Sequence, residues 1–263
     1  MKLKNVKGLV LDLDGCVYVG NTPVEGAADA LRTLRDMGVK LVFLTNNSTL
    51  TRKQYVEKLS RMGIDAAETE VLTSGVVAAK FIKNRRKGVN ILPVAEEGFT
   101  AEAVALGLRI LSPNDWKQAD YVVVGLDRNL SYEKLAKACL AIRAGAFFLA
   151  TNLDHVYPAE EGFLPGAGSI AALLSTATGV KPVSVGKPEA ETSKQALELL
   201  GLSKDEVAFV GDRVDTDVAA AKTVGCRSIL VKTGAYKLFK HLSDQAELVV
   251  ESITDLPQAI SVE

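Results

Sequence analysis

The 263-residue sequence has few of the side chains on which several common enzyme classes depend. It contains two histidines, His155 and His241, and this scarcity argues against a histidine-based triad or a histidine-rich metal site. Its three cysteines, Cys16, Cys139 and Cys226, are far apart and form no Cys-x-x-Cys pair. Neither a zinc knuckle nor a disulfide framework is therefore predicted.

Excess charge and long apolar runs are also missing. The formal net charge of −1 gives no electrostatic reason to expect binding to nucleic acid or to a membrane surface. No apolar run approaches membrane-spanning length, and the opening residues MKLKNVKG lack the apolar segment of a signal peptide. We therefore expect a soluble, cytoplasmic protein with neither a nucleic-acid nor a membrane partner.

Short β-branched runs alternate with helical patterns along most of the chain. The runs are continuously apolar, as in strands that are covered on both faces. Strand–helix–strand alternation predicts an α/β fold whose core is a Rossmann-like, doubly wound and mostly parallel sheet. The predicted core strands cover residues 8–14, 39–47, 181–187, 206–212, 227–233 and 246–252. A helix is predicted from about Asp215 to Val224, ending at Gly225.

The middle of the chain has a strand pattern of its own. After the basic break Arg85-Arg86-Lys87-Gly88, strands are predicted at residues 89–94, 119–125 and 146–152. We interpret residues 86–180 as a smaller α/β domain inserted into a core formed by residues 1–85 and 181–263. One continuous large sheet is the alternative interpretation.

Polar residues follow the predicted core strands at the points where those strands end. In an open parallel sheet, ligands bind in the crevice at the carboxyl ends of the strands. These polar endings are suited to binding a phosphate group or a metal ion. They are Asp12-Leu13-Asp14-Gly15, Thr45-Asn46-Asn47-Ser48, Gly186-Lys187-Pro188 and Gly211-Asp212-Arg213, with Asp215 and Asp217 close behind.

The carboxylates among these endings can divide the work of phosphoryl transfer. Asp12 is suited to attack phosphorus as a nucleophile, and Asp14 can protonate a leaving oxygen and later deprotonate water. Asp12, Asp212 and the backbone carbonyl of Asp14 supply the hard oxygen ligands that Mg²⁺ prefers. Taken alone, Asp14-Gly15 could equally form an ordinary turn.

Two other endings can bind and neutralise a phosphoryl group. Thr45 and the amides near Asn46 can hold its oxygens, while Lys187 can balance charge in the transition state. Each also has a plainer interpretation, because residues 45–48 can cap the next helix and an isolated lysine is most often solvated. The combination with the aspartates favours the functional interpretation.

The sequences DLDG, TNNS, GKP and GDRVDTD, in this order, resemble the four motifs of the haloacid-dehalogenase-like phosphohydrolases. The insertion resembles the large α/β cap of that superfamily's second cap class. Within it, VVVGLDRNLSYEKL, ATNLD and LPGAGSI are similar to the p-nitrophenylphosphatase or NagD-like branch. The resemblance implies a Mg²⁺-dependent phosphomonoesterase acting through an aspartyl-phosphate. Its substrate would be a small metabolite such as a sugar phosphate, nucleotide monophosphate, phosphoglycolate or glycerol phosphate.

The resemblance also implies a role for each residue that matches a family motif. The implied catalytic residues are Asp12, Asp14 and Lys187. The implied phosphate-binding residues are Thr45, Asn46, Asn47 and Lys187. The implied Mg²⁺ ligands are Asp12, Asp14 through its carbonyl, and Asp212, with Asp217 holding a metal-bound water or the lysine.

Some alternatives stay open from the sequence. A ligand-binding or regulatory module without turnover is one, and a haloacid dehalogenase is another. The presence of Asp14 and Asp212 counts against the dehalogenase, because a halide leaves without a proton. The family's common cap loop TNPD reads TNLD here, with Leu153 at the proline position, which loosens any inference about the substrate. The resemblance also leaves open a homodimer formed through the cap.

Overall fold

The computed structural model describes residues 2–86, 88–159 and 162–263, so Lys87 of the predicted basic break lies outside the described residues. The strands are β1 Gly8–Asp12, β2 Tyr18–Val19, β3 Thr22–Pro23, β4 Lys40–Thr45, β5 Val71–Thr73, β6 Asn90–Val94, β7 Arg109–Ile110, β8 Tyr121–Val124, β9 Phe147–Ala150, β10 Val156–Ala159, β11 Gly162–Pro165, β12 Val183–Ser184, β13 Val207–Gly211, β14 Arg227–Val231 and β15 Leu248–Val250.

The α-helices are α1 Ala27–Asp36, α2 Arg52–Arg61, α3 Ser74–Arg85, α4 Glu97–Ala105, α5 Tyr132–Arg143, α6 Ala167–Thr178, α7 Ala190–Leu200, α8 Ala219–Val224, α9 Tyr236–Phe239 and α10 Leu256–Ala259. Short 3-10 turns cover Glu68–Glu70, Pro113–Gln118, Lys204–Glu206, Lys240–Gln245 and Ile253–Asp255. Among the helices of the described ranges, none combines the length and the apolar composition needed to cross a membrane.

The chain packs as two compact units. The first comprises Met1–Thr45, Lys53–Leu72 and Lys187–Glu263, and the second comprises Asn46–Arg52 and Thr73–Gly186. Residues 86–180, which the sequence suggests as an insertion, lie inside the second unit. That unit also contains helix α3 and the segment that directly follows β4.

The first unit is built around a six-stranded sheet in the order β15-β14-β13-β1-β4-β5. Strand β1 pairs in parallel with β13 on one side and with β4 on the other. The chain moves outward from β1 through β4 and β5, then returns to β13 and moves outward the other way. This reversal places a topological switch point, where ligands bind in such sheets, between β1 and β13. Leu9, Val10 and Leu11 are all buried, as expected for a strand that is covered on both faces.

The second unit has its own five-stranded sheet in the order β12-β9-β8-β6-β7, in which the neighbouring pairs are parallel. Alternating residues of its strands, including Val94, Val124 and Phe148, form a core with buried residues of α5 and α6. Strands β10 and β11 form a separate antiparallel hairpin.

The prediction of a core strand over residues 181–187 is wrong. Only Val183 and Ser184 form a strand, and they pair with Leu149 and Ala150 of β9 in the second unit's sheet. A local apolar pattern predicts that a segment is extended, but the sheet that it joins depends on contacts distant in sequence. The chain enters the first unit again at Lys187 without passing through a core strand.

Candidate active site

Three carboxylates of the first unit converge at the switch point of its sheet. Asp12 is the last residue of β1, and Asp212 directly follows the neighbouring strand β13. Because the two strands run parallel, both side chains emerge at the same edge. Asp12, Asp212 and Asp217 each present an oxygen atom within 4.8 Å of the others. Among the predicted polar strand endings, those that contain Asp12 and Asp212 therefore come together within this unit.

Lys187 lies between two of the carboxylates. Its Nζ is 2.5 Å from Asp12 Oδ1 and 2.6 Å from Asp217 Oδ1, and its side chain is only 4% exposed. Burial by itself lowers the pKa of Lys187, but the charges of Asp12 and Asp217 outweigh that effect and raise its pKa above the ordinary value. The ammonium therefore stays charged at neutral pH and binds both carboxylates.

Asp217 is presented by an unusual helical turn. The sequence predicts a helix from about Asp215, and in the structure its first part is a π-helical turn over Val214–Val218 that precedes α8. The backbone N–H groups of Asp217 and Val218 both donate to Arg213 O, at 3.0 and 3.3 Å. Asp217 Oδ2 accepts the Arg213 N–H at 3.1 Å while Oδ1 accepts from Lys187. Asp217 thus anchors the lysine, and its π-turn is of the kind often found at functional sites.

Asp212 has one oxygen that is bound and one that is not. Its Oδ2 accepts the Ala235 N–H at 2.5 Å. Its Oδ1 is buried and has no hydrogen-bond partner among the residues that the structure describes. Burial, together with the charge of Asp217, raises the pKa of Asp212 to about 7. A buried carboxylate oxygen without a partner is costly, which points to a ligand that completes the site.

The charge of the cluster fits a divalent cation. When all groups are ionised, the three carboxylates exceed the one ammonium by two negative charges. Burial raises the pKa of Asp12 well above its ordinary value, while Lys187 opposes that rise. A divalent cation would supply the missing positive charge, and carboxylate oxygens are ligands that hard cations prefer. The residues present therefore fit a divalent metal.

Asp14 lies in a different environment from Asp12. Asp14 is exposed, whereas Asp12 is largely buried. Partial burial of its carboxyl raises the pKa of Asp14, and the Gly20 N–H and the charge of Lys58 oppose the rise. Lys58 Nζ itself lies 3.9 Å from the centre of the Tyr18 ring. A carboxyl that is accessible and inclined to keep its proton suits an acid in catalysis.

A loop that sequence reasoning missed closes around these residues. Thr233 Oγ1 donates to Gly15 O at 2.5 Å, and Ala235 supplies the N–H to Asp212. A Cβ at Gly234, whose φ is +54°, would overlap both Asp212 and Gly15. The sequence pattern could have indicated this loop, because Thr233-Gly234-Ala235 follows strand β14 just as the other polar endings follow their strands.

Gly15→Ala tests the close approach of the turn after β1 to Asp212. Gly15 has a φ of +94°, and a Cβ there would overlap the Asp212 carboxylate. We expect kcat/KM to fall about 10²-fold or more, since displacements of about 1 Å at a catalytic site have such effects. Strain at this φ should also lower the free energy of unfolding by about 1–3 kcal/mol.

Gly38→Ala is the matched control. Gly38 has a similar φ of +82°, but no described atom lies within 4 Å of the position its Cβ would take. This variant should show the loss of stability without the loss of activity. Equal activity losses in the two variants would contradict the role given to Gly15.

The structure places the remaining predicted site residues in different units. Thr45, the last residue of β4, is buried in the first unit and has a side-chain hydrogen bond with Tyr55. Asn46 and Asn47 belong to the second unit. There Asn47 Oδ1 accepts hydrogen bonds from the N–H and the Oγ1 of Thr49, at 2.9 and 2.8 Å. The side chain of Asn47 therefore stabilises the turn that follows it.

Comparison with known families agrees with this chemistry. Residues 9–109 match the family of haloacid dehalogenase-like hydrolases, and residues 184–256 match a second, HAD-hydrolase-like family. The chain belongs to the haloacid dehalogenase-like hydrolases. Its resemblance to the p-nitrophenylphosphatase branch is confirmed by solved structures. A p-nitrophenyl phosphatase from Archaeoglobus fulgidus superposes with a TM-score of 0.90 at 33% identity, covering 97% of this chain and 99% of that one.

Two relatives match this chain over nearly its whole length. A 5'-nucleotidase YutF of Bacillus subtilis is 41% identical over 98% of this chain and 99% of its own. An acid sugar phosphatase of Staphylococcus aureus is 41% identical over 98% of each chain. The predicted enzyme class, a phosphatase of this hydrolase family, is thereby confirmed. The predicted α/β fold, a Rossmann-like parallel core with a smaller α/β cap, is confirmed by the structural match.

Proposed function

We propose that this chain is a Mg²⁺-dependent phosphomonoesterase that hydrolyses small phosphorylated metabolites through an aspartyl-phosphate on Asp12. One observation carries the proposal. The Asp12 carboxylate lies at the switch point, 2.5 Å from Lys187 Nζ and clustered with the carboxylates of Asp212 and Asp217. This arrangement supports the assignment of Asp12 as nucleophile, Lys187 as its counter-charge and Asp212 as a metal ligand.

The first half of the proposed reaction transfers the phosphoryl group. Because Asp12 Oδ1 is bound to Lys187, Oδ2 is the oxygen that attacks phosphorus. The bond between phosphorus and the leaving oxygen breaks, and Asp14 gives that oxygen its proton. In the second half, Asp14 takes a proton from water, whose oxygen attacks phosphorus. The bond to Asp12 breaks, phosphate leaves, and both aspartates return to their initial states.

The other predicted residues support these two steps. Lys187 offsets negative charge on the phosphoryl oxygens as the transition state forms. Bound Mg²⁺, held by Asp12, Asp212 and the Asp14 carbonyl, would supply further positive charge to those oxygens. In this proposal, Thr45 and the Asn46–Asn47 segment hold the phosphoryl group.

Removal of the metal gives the first test of the proposal. We expect a chelator to abolish hydrolysis of p-nitrophenyl phosphate and Mg²⁺ to restore it. Added Mg²⁺ should also raise Tm, because a ligand that binds only the folded state stabilises it. In Asp212→Asn, both the restored activity and the rise in Tm should require far more Mg²⁺.

Two results would count against the proposal, in different ways. Full activity in chelator would exclude the metal requirement, and release of halide from a haloacid under the same conditions would favour the dehalogenase. An absence of turnover across a broad panel of phosphate esters, despite Mg²⁺ binding, would instead favour the hypothesis of a ligand-binding or regulatory module without turnover.

The substrate class is proposed from the relatives. Their names indicate nucleotide and acid sugar phosphates, and we extend the range to phosphoglycolate and glycerol phosphate. We also propose that residues 86–180 act as the cap and that the protein works in the cytoplasm, with a homodimer through the cap as an open alternative. A substrate screen on purified protein, compared by kcat/KM, separates the substrate candidates.

A further inference from the structure

The segment after strand β4 belongs to the second unit and is held there by partly buried hydrogen bonds to other segments of that unit. Asn46 O accepts from Asn152 Nδ2 at 2.7 Å and from Ser74 Oγ at 2.5 Å. Asn46 Nδ2 donates to Asp154 Oδ2 at 2.8 Å. We call Ser74, Asn152 and Asp154 the Asn46 clamp. Asn152 and Asp154 lie in the TNLD loop after strand β9, and Ser74 is the first residue of α3.

The clamp fixes the backbone of this segment. A peptide unit is planar and trans, so its N–H points opposite to its C=O. With the Asn46 carbonyl held by two donors, the N–H of Asn47 is aimed in the opposite direction. Asn152 is itself oriented, because its Oδ1 accepts the Asp154 N–H at 3.0 Å.

The clamp also fixes the side chain of Asn46. An ionised carboxylate only accepts hydrogen bonds, so Asp154 determines that the nitrogen end of the Asn46 amide faces it. The oxygen end then faces Gly186, where an added Cβ would lie 2.8 Å from Asn46 Oδ1. A charge-assisted bond of this kind is stronger than one between neutral groups.

Two of the three clamp residues, Ser74 and Asn152, are buried, while Asp154 and Asn46 are half-buried. Ser74 and Asn152 are 1% and 4% exposed, and hydrogen bonds away from water are strengthened and rigidify the groups that they join. The clamp residues lie 28 to 108 positions from Asn46 in sequence. The conformation of Asn46 is thus set by distant segments rather than by its neighbours in the chain.

We propose that the Asn46 clamp, and Asp154 above all, positions Asn46 for the phosphoryl group, so that the TNLD loop controls phosphoryl affinity. The inference rests on the proposed function, in which Asn46 binds that group. Asp154 is in this account a positioning residue that acts through Asn46.

A double-mutant cycle tests the proposal. Asp154→Ala should lower kcat/KM about 10- to 100-fold, the range expected for one charge-assisted hydrogen bond. The loss should be equal for p-nitrophenyl phosphate and for glycerol phosphate, and the Kd for inorganic phosphate should rise in parallel. In an Asn46→Ala background, Asp154→Ala should have no further effect. Asp154→Asn, which keeps an acceptor, should recover most of the activity.

Other results would overturn the inference. Unchanged kinetics and phosphate affinity in Asp154→Ala would do so, as would a full additional loss in the Asn46→Ala background. Unequal losses for the two substrates would indicate contact with the leaving group instead. If Asp154→Ala does not fold, Ser74→Ala serves the same purpose, with a loss of phosphate affinity expected and none contradicting the clamp. Failure of the wild type to hydrolyse any ester would refute the proposed function, while calorimetry with inorganic phosphate would still decide the clamp.

Discussion

Asp12→Asn is expected to lower kcat by about 10⁴-fold or more, the scale on which removal of a catalytic nucleophile acts. An amide oxygen is a poor nucleophile and cannot form the proposed acyl phosphate. The fold should survive, because asparagine has the shape of aspartate and the buried site disfavours the negative charge at this position. Turnover of p-nitrophenyl phosphate with saturating Mg²⁺ is the measurement.

Thermal unfolding of the same variant provides the control. Burial raises the pKa of Asp12, which means that the folded protein disfavours its ionised form. In chelator, the Tm of Asp12→Asn should therefore equal or exceed that of the wild type. Near-normal hydrolysis by this folded variant would remove Asp12 from the mechanism.

Lys187→Met should have the second large effect, on activity and stability together. Loss of the ammonium leaves Asp12 and Asp217 buried beside one another without their counter-charge. Breaking a buried ion pair by removing one partner costs about 3–5 kcal/mol of folding free energy. The kcat should fall about 10³-fold because a preorganised charge at the phosphoryl group is lost. Urea unfolding at neutral pH in chelator, with parallel kinetics in Mg²⁺, measures both effects.

Lys7→Met is the matched control for stability. Lys7 also pairs with a carboxylate, Glu206 at 2.7 Å, but its side chain is 44% exposed. Exposed pairs contribute little, so this variant should lose far less stability and no activity. An equally small loss in Lys187→Met would contradict the description of Lys187 as a buried counter-ion.

The stability deficit of Lys187→Met should depend on pH. Lys187 is the group that opposes the raised pKa of Asp12, so its removal raises that pKa further above the unfolded value of about 3.9. An acid whose pKa is higher in the folded state stabilises folding at low pH and loses that contribution as pH rises between the two values. The deficit should therefore be small near pH 4 and largest above neutral pH. A deficit that does not change with pH would exclude this electrostatic cause.

The sequence was most informative where strands end in polar residues. Continuous burial of Leu9, Val10 and Leu11 follows from their local pattern, and parallel pairing then brings Asp12 and Asp212 to one edge. Such features need only the continuous apolar pattern of a strand that is covered on both faces, and the rule that ligands bind at the carboxyl ends of parallel strands. They were enough to predict the core fold and the acidic cluster.

Features that depend on distant contacts escaped prediction. Val183–Ser184 joins the second unit's sheet through β9, which no local pattern specifies. The π-turn before α8 carries Asp217, whose carboxylate binds the distant Lys187, and no local pattern indicates this turn. The hydrogen bond from Asn46 to Asp154 likewise joins residues that are 108 positions apart. In each case the decisive interaction is tertiary.

In the proposed mechanism the phosphoryl group passes through Asp12. The most direct test is to mix the wild-type protein with excess p-nitrophenyl phosphate and Mg²⁺, quench with acid during turnover, and map modified peptides by mass spectrometry. One added phosphoryl group is expected on the peptide that contains Asp12, and none is expected in Asp12→Asn. Turnover with no acid-stable phosphoryl group on that peptide, or with the group on another residue, would contradict this mechanism.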